Sequence, residues 1–216
     1  MNLGLFLALY ILAAAPGLAQ TAAQPKPLGV ASDTSPLGFQ YILPDDWQIV
    51  PAAKTSVSDP GMEEGQAPDA AEKKGIGCMQ VMLTARHGSP PTVIVVDALP
   101  FACYGETLTD SDLPGFSSGA VQGLKQAFDI TDSIETSYTI AGHKIWIERA
   151  RAMHKGKTAP QYTVEIACTL LRKGVVCWMA QAADEAGLKV FEQSAVILDG
   201  TPAIALVPPD TFLHLH

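Results

Sequence analysis

The sequence has few basic residues. It contains 14 Lys and Arg against 22 Asp and Glu, which gives a formal net charge of −8. Nucleic acids and anionic membrane surfaces are bound largely through Lys and Arg, which displace counterions or neutralise lipid headgroups. We therefore expect neither as a partner. The acidic balance says little about other partners, since net charge mainly serves solubility and association rates.

Long apolar runs are absent beyond the N-terminus, where Leu3–Ala15 is the one such run. A membrane-spanning helix needs roughly 20 apolar residues, so the run fits the core of a secretory signal instead. Gly17 and Ala19 supply small residues at the −3 and −1 positions, which predicts cleavage after Ala19. The alternative is an uncleaved anchor, because no Lys or Arg precedes the run. The first cysteine is Cys78, so we expect no lipid anchor.

The rest of the chain predicts one exported domain, periplasmic or extracellular. Residues 20–36 are rich in Ala, Pro, Thr and Gln without periodicity, which predicts a flexible tether. Residues 37–202 have the length of a single domain, and residues 203–216 form a Pro-containing tail. The polar stretch 51–75 is long for a loop inside a compact domain, which is typical of a mobile or functional segment.

Hydrophobic periodicity predicts an α+β fold, a twisted antiparallel sheet with helices on its faces. Two segments show helical spacing, Phe116–Phe128 and Asp184–Leu198. Strand patterns cover 38–43, 47–50, 77–85, 92–99, 133–140, 143–153, 162–170 and 175–182.

Four cysteines allow three disulfide pairings. With Arg172-Lys173 as the loop of the last hairpin, Cys168 lies directly opposite Cys177, within disulfide reach. The remaining pair is then Cys78 and Cys103. The alternative is four buried free thiols, which an oxidising compartment disfavours. No Cys-x-x-Cys redox motif and no closely spaced pairs for a four-cysteine zinc site are present.

The segment Gly38–Trp47 reads GFQYILPDDW, an aromatic and apolar strand followed by a Pro turn and Trp. It resembles the opening of PsbP-like domains, and the order of hairpin, helix, long strands and closing helix is similar. The resemblance implies an α/β/α sandwich over about residues 37–202. It also implies a binding or assembly role and carries no catalytic residues.

Residues 115–119 match the G-x-S-x-G pattern of serine hydrolases, with Ser117 as the candidate nucleophile. That chemistry needs Ser on a sharp turn that directly follows a strand, and no strand precedes this turn. Asp129, His143 and His154 are the later residues that such a site could use. The alternative is that Ser117 caps the helix or lies in a loop.

The C-terminal His214 and His216 could bind a soft divalent metal. They have no third side-chain ligand nearby in the sequence, and chain termini rarely form preorganised sites. The alternative is a solvated terminus. No phosphate loop or dinucleotide fingerprint is present, so we expect no cofactor.

A polar cluster, Glu148, Arg149 and Arg151 with Glu165, could bind an anionic or amide-bearing ligand. Its alternative is charge pairing on a solvated face. Trp146 and Trp178 lie on predicted strands, and such aromatic residues are usually covered by a helix; the alternative is a platform for a carbohydrate or a partner.

The leading hypothesis is an exported, non-enzymatic binding or assembly module, with an envelope protein or a small ligand as its partner. A serine hydrolase using Ser117 and a metal-binding protein using the two C-terminal histidines are the alternatives.

We expect the exported protein to begin at Gln20 and to take up four alkyl groups only after reduction. Intact mass spectrometry of the purified protein, alkylated before and after reduction, measures both properties. Retention of residues 1–19 would contradict the cleavage prediction. Alkylation of all four cysteines without reductant would contradict the disulfides.

Overall fold

The computed structural model describes residues 37–43, 47–50, 78–103, 108–208 and 211–212. It has the α+β fold that the periodicity predicts. The predicted signal peptide 1–19, the tether 20–36, the loop 51–75 and the two C-terminal histidines lie outside the described residues. Within the described part, no helix combines the length and the hydropathy that crossing a membrane requires.

All strand pairs are antiparallel, and they form two sheets. The strands are β1 (Phe39–Ile42), β2 (Gln48–Ile49), β3 (Gln80–His87), β4 (Thr92–Pro100), β5 (Phe128–Ile140), β6 (His143–His154), β7 (Gln161–Leu171), β8 (Gly174–Ala182), β9 (Ala195–Leu198) and β10 (Ile204–Ala205). The α-helices that lie entirely within the described residues are α1 (Leu113–Leu124) and α2 (Glu185–Gln193). The large sheet has the order β2-β3-β4-β8-β7-β6-β5, and the small one β1-β9-β10.

Each face of the large sheet carries its own hydrophobic core. On one face Trp178 is fully buried among residues of the small sheet and of α2, such as Phe39 and Phe191. On the other face Ile166 is buried in a cluster that includes Leu124 of α1. Every residue of the central strand β8 is buried, because both of its faces are covered.

Both predicted disulfides are present. Cys168 lies directly opposite Cys177, and the two Cα atoms are 4.2 Å apart. The β7–β8 turn is Arg172-Lys173, as the sequence predicts, because Leu171 pairs with Gly174. The Cys78–Cys103 bond has a Cα–Cα distance of 5.9 Å and ties the start of β3 to the chain that leaves β4.

The first helix lies earlier than predicted. It begins at Leu113, with Pro114 in its first turn, where a missing N–H costs no hydrogen bond. A capping box between Thr109 and Asp112 begins the 3₁₀ turn Asp110–Asp112, which leads directly into this helix. At the other end, Phe128 belongs to β5 and stacks on His154 of β6, with ring centroids 4.1 Å apart. Phe128 therefore belongs to a strand and not to the predicted helix, because it packs against its cross-strand neighbour His154.

The second helix is shorter than predicted. It ends at Gln193, and Ser194 has extended backbone with its hydroxyl donating to the Phe191 carbonyl at 2.5 Å. The residues that follow, Ala195–Leu198, alternate in burial and pair with β1. A four-residue apolar run fits either type of element, and pairing with β1 decides in favour of a strand.

The domain also extends past the boundary predicted at Pro202. Ile204 and Ala205 pair with β9, and Leu206 and Val207 are buried in the core. The Leu206 carbonyl accepts a hydrogen bond from the Tyr138 hydroxyl at 2.8 Å. The described part of the predicted tail is therefore a structural element of the fold.

Asp97 is a buried acid in the middle of β4. It is 2% exposed, it lies opposite Cys177, and its Oδ1 atom makes no hydrogen bond within the described structure. Burial raises its pKa to about 7. The protonated form is favoured because an unpaired carboxylate inside a core loses its hydration.

The free energy of unfolding should fall as the pH rises from about 4 to about 7. In that window the folded state binds the Asp97 proton and the unfolded state does not, so the stabilisation is complete at low pH and is lost above the folded-state pKa. Asp97→Asn should flatten the decline between pH 5 and 8 by about 3 kcal/mol. Urea denaturation at several pH values measures this. Asp129→Asn, at an exposed position of β5, is the control, and an unchanged pH dependence in Asp97→Asn would contradict the assignment.

Candidate ligand-binding cleft

A cleft of about 330 Å³ separates α1 from the β5–β6 hairpin. We call it the helix–hairpin cleft. The helix side of the cleft consists of Ser118, Val121, Gln122 and Lys125, and the strand side includes Ile130, Ser133, Glu135 and Glu148. Its volume lies in the range of small-molecule sites, roughly 300–1,000 Å³.

A β-bulge in β5 shapes the strand side. Thr131 pairs with Arg151 and Ile134 with Arg149, so β5 has one residue more than β6 in this interval. Asp132 has a φ of 52°, a left-handed conformation that Asp tolerates better than most residues. Ser133 lies two residues before Glu135, the cross-strand partner of Glu148, and strand alternation places it on the face of Glu148.

Glu148 lies in the wall of the cleft and is 4% exposed. One carboxylate oxygen accepts a hydrogen bond of 2.5 Å from the Ser133 hydroxyl. The other, Oε2, is buried and makes no hydrogen bond within the described structure. A buried carboxylate with one neutral donor is poorly compensated for its lost hydration, which makes Glu148 the least satisfied acid in this cleft.

Glu135 is the direct cross-strand neighbour of Glu148. Like charges in this position repel each other. Burial and the charge of Glu148 both raise the pKa of Glu135. Two acids therefore share one end of the cleft, and no ion pair between described residues involves either of them.

The polar cluster predicted from the sequence is divided between the two faces of the sheet. Arg149 follows Glu148 and therefore lies on the opposite face. There its guanidinium donates to Glu165 at 2.8 Å and forms a close ion pair with Glu192 of α2. It also stacks on Phe212, 3.7 Å from the ring centroid.

The charges on the Arg149 side of the sheet are paired with one another, although the Oε2 atom of Glu165 is buried and makes no hydrogen bond within the described structure. Burial raises the pKa of Glu165 to about 7, although Arg149 opposes the shift. Glu192 of α2 and the Phe212 ring complete the surroundings of the guanidinium. This cluster anchors the last described residues of the chain to the sheet, and its charged groups already have protein partners.

Ser117 is fully buried in α1, and its hydroxyl donates to the Pro114 carbonyl one turn earlier, at 3.1 Å. The residues before α1 are the short 3₁₀ turn Asp110–Asp112, and no described strand leads directly into the helix. Ser117 therefore has a helix-lining position inside α1, and neither the cap nor the loop position of the alternative interpretation. His154 stacks on Phe128, and none of its described contacts involves Ser117.

Other candidate residues have structural contacts. His143 has two polar contacts, with Nδ1 at 3.1 Å from the Leu170 carbonyl oxygen and Nε2 at 3.6 Å from Oδ2 of Asp199. Trp178 is fully buried, and the ring that packs against it edge to face is Phe39 of β1 rather than a helix residue. Trp146 lies on the other face and is half-buried, with Lys144 at 6.0 Å from its ring.

Metal ligands do not cluster in the part of the chain that the structure describes, where no group of three or more His, Cys, Asp or Glu could hold an ion.

Neither a protein-family model nor a curated protein matches the chain. The resemblance to PsbP-like domains therefore stays a prediction.

Sequence reasoning did not find the cleft. It placed Glu148 in one cluster with Arg149, although neighbouring strand residues point to opposite faces. The available signal was this alternation, together with the helical pattern that precedes β5. The sequence does not predict the bulge at Asp132, because an Asp residue is equally common in turns and therefore does not indicate a bulge.

Ser117→Ala should leave the rate of p-nitrophenyl ester hydrolysis equal to that of the wild type. It should also change the free energy of unfolding by less than about 1 kcal/mol, because a hydroxyl that is hydrogen-bonded to its own helix contributes little to stability. Ester assays and urea denaturation measure the two quantities. A catalytic rate in the wild type that Ser117→Ala abolishes, with folding intact, would contradict the helix-lining role.

Proposed function

We propose that this protein is an exported, non-enzymatic binding module that takes a small ligand in the helix–hairpin cleft. The observation that carries the proposal is the state of Glu148. A buried carboxylate that lines a cleft and lacks a charged protein partner is suited to a ligand that supplies the missing donor.

The cellular compartment that the disulfides indicate supports the same proposal. Two disulfides fit a protein that works in an oxidising environment, so we place the module outside the cytoplasm, in a periplasm or the extracellular space. The PsbP-like α/β/α sandwich is part of the proposal, and the α+β architecture is compatible with it.

A small ligand suits the cleft better than a protein partner does. The cleft is concave, and its lining is mostly polar, with Val121 and Ile130 as the apolar side chains. A concave site of this volume suits a small molecule, whereas protein interfaces are usually larger and flatter. The Ser133 hydroxyl and the Gln122 amide can orient a ligand by hydrogen bonds.

Filling the cleft should abolish ligand binding without unfolding the domain. Gln122→Trp places a large side chain in the cleft, and Gln126→Trp makes the same change at an exposed position just beyond α1. A fragment library of amines, acids, alcohols and amides is screened against both variants and the wild type by ¹H–¹⁵N correlation spectra.

We expect at least one fragment class to shift amide signals of α1 and the β5 bulge in the wild type and in Gln126→Trp, and to lose this effect in Gln122→Trp. If no fragment class binds at this cleft, or if Gln122→Trp binds as the wild type does, the proposed function is wrong.

A further inference from the structure

We propose that the helix–hairpin cleft binds the ammonium group of a small primary amine with a short apolar body, held by Glu148 and Glu135. This inference rests on the proposed function and names the chemical class of its ligand. It begins from the two acids that face each other across β5 and β6.

The charge balance of the cleft favours a cation. Glu135 and Glu148 repel each other, and no ion pair between described residues compensates for either of them. The nearest guanidinium along the chain, that of Arg149, is on the other face, where Glu165 and Glu192 hold it. A ligand cation would therefore remove a repulsion and supply the missing counter-charge at the same time.

The hydrogen-bond inventory matches an ammonium group. An –NH₃⁺ group has three donors and no acceptor. The acceptors at this end of the cleft are the carboxylates of Glu148 and Glu135 and the oxygen of Ser133. A carboxylate ligand would find two like charges here, and an alcohol would supply one donor without charge.

Access to Glu148 requires a small rearrangement. Its Oε2 atom is covered, and Oε1 accepts the hydrogen bond of the Ser133 hydroxyl. Ser133 and Glu135 are both exposed side chains, which change rotamer within nanoseconds. The ammonium group then replaces the Ser133 hydroxyl as the principal donor to Glu148.

The other residues of the cleft determine which chemical group the rest of the ligand can be. Val121 and Ile130 give it an apolar wall, which suits a short hydrocarbon chain. Lys125 lies on the helix side of the same cleft. A second ammonium group near Lys125 would be repelled, so a monoamine is favoured over a diamine. A bound metal ion is not favoured, because the described residues lack a three-ligand group.

The test compares three probes of the same length, n-pentylammonium chloride, 1-pentanol and sodium pentanoate, by ¹H–¹⁵N titration at constant ionic strength. We expect saturable shifts at α1 and the β5 bulge with n-pentylammonium, with a millimolar Kd. The alcohol and the acid should bind at least tenfold more weakly.

Glu148→Gln should weaken n-pentylammonium binding at least tenfold, and Glu135→Gln several-fold, with little effect on 1-pentanol. Glu185→Gln is the matched control, because it removes an exposed carboxylate of α2 and should leave the affinity unchanged. If the spectrum of Glu148→Gln shows that it does not fold, the exposed Glu135 position carries the test.

The ligand class is overturned if pentanol or pentanoate binds as tightly as the amine, if the foldable glutamine variants bind it like the wild type, or if calcium chloride displaces it at lower concentration. It is also overturned if n-pentylammonium does not bind. Binding of another fragment class that Gln122→Trp blocks would then leave the proposed function standing without its ammonium ligand. If no fragment class binds at the cleft, both the ammonium ligand and the proposed function are overturned.

Discussion

The alternation of side chains along β6 is the constraint on which the candidate site depends. Glu148 and Arg149 are adjacent in sequence, and a strand sends adjacent side chains to opposite faces. Arg149 is thereby held by Glu165 and Glu192 on one side of the sheet. Glu148 lies on the other side, in the wall of the cleft beside α1, and makes no ion pair with a described residue.

The surrounding structure makes this separation rigid. Strands β8 and β7 are buried on both faces over most of their length, so β6 has little freedom to roll or slip. The Cys168–Cys177 bond fixes the register of the two central strands. On the Arg149 face, the chain after β9 adds Leu206 and Phe212 to the packing, and on the Glu148 face α1 closes one side of the cleft.

The sequence predicts the sheet well because its signals there are local. The Arg172-Lys173 turn and the alternation of β7 are enough to place Cys168 opposite Cys177. Element ends are less predictable, since tertiary pairing decides them. Ala195–Leu198 fits a helix by composition and becomes a strand because β1 needs a partner. Phe128 leaves the helical pattern because it stacks on His154.

The candidate site was less predictable than the fold. Its shape comes from a bulge at Asp132 and from the distance between α1 and the β5–β6 hairpin, neither of which has a local sequence signal. The burial of Glu148 likewise depends on how α1 packs. Sequence reasoning could identify Glu148 as a polar strand residue, but not that one oxygen of its carboxylate lacks a hydrogen-bond partner.

The most direct measurement is a crystal structure of the protein with n-pentylammonium. The account predicts the ligand nitrogen at about 2.7–3.0 Å from a carboxylate oxygen of Glu148, with the pentyl chain against Val121 and Ile130. A ligand bound beside Glu165 and Glu192 instead, or a cleft in which Glu148 still bonds only to Ser133, would contradict it.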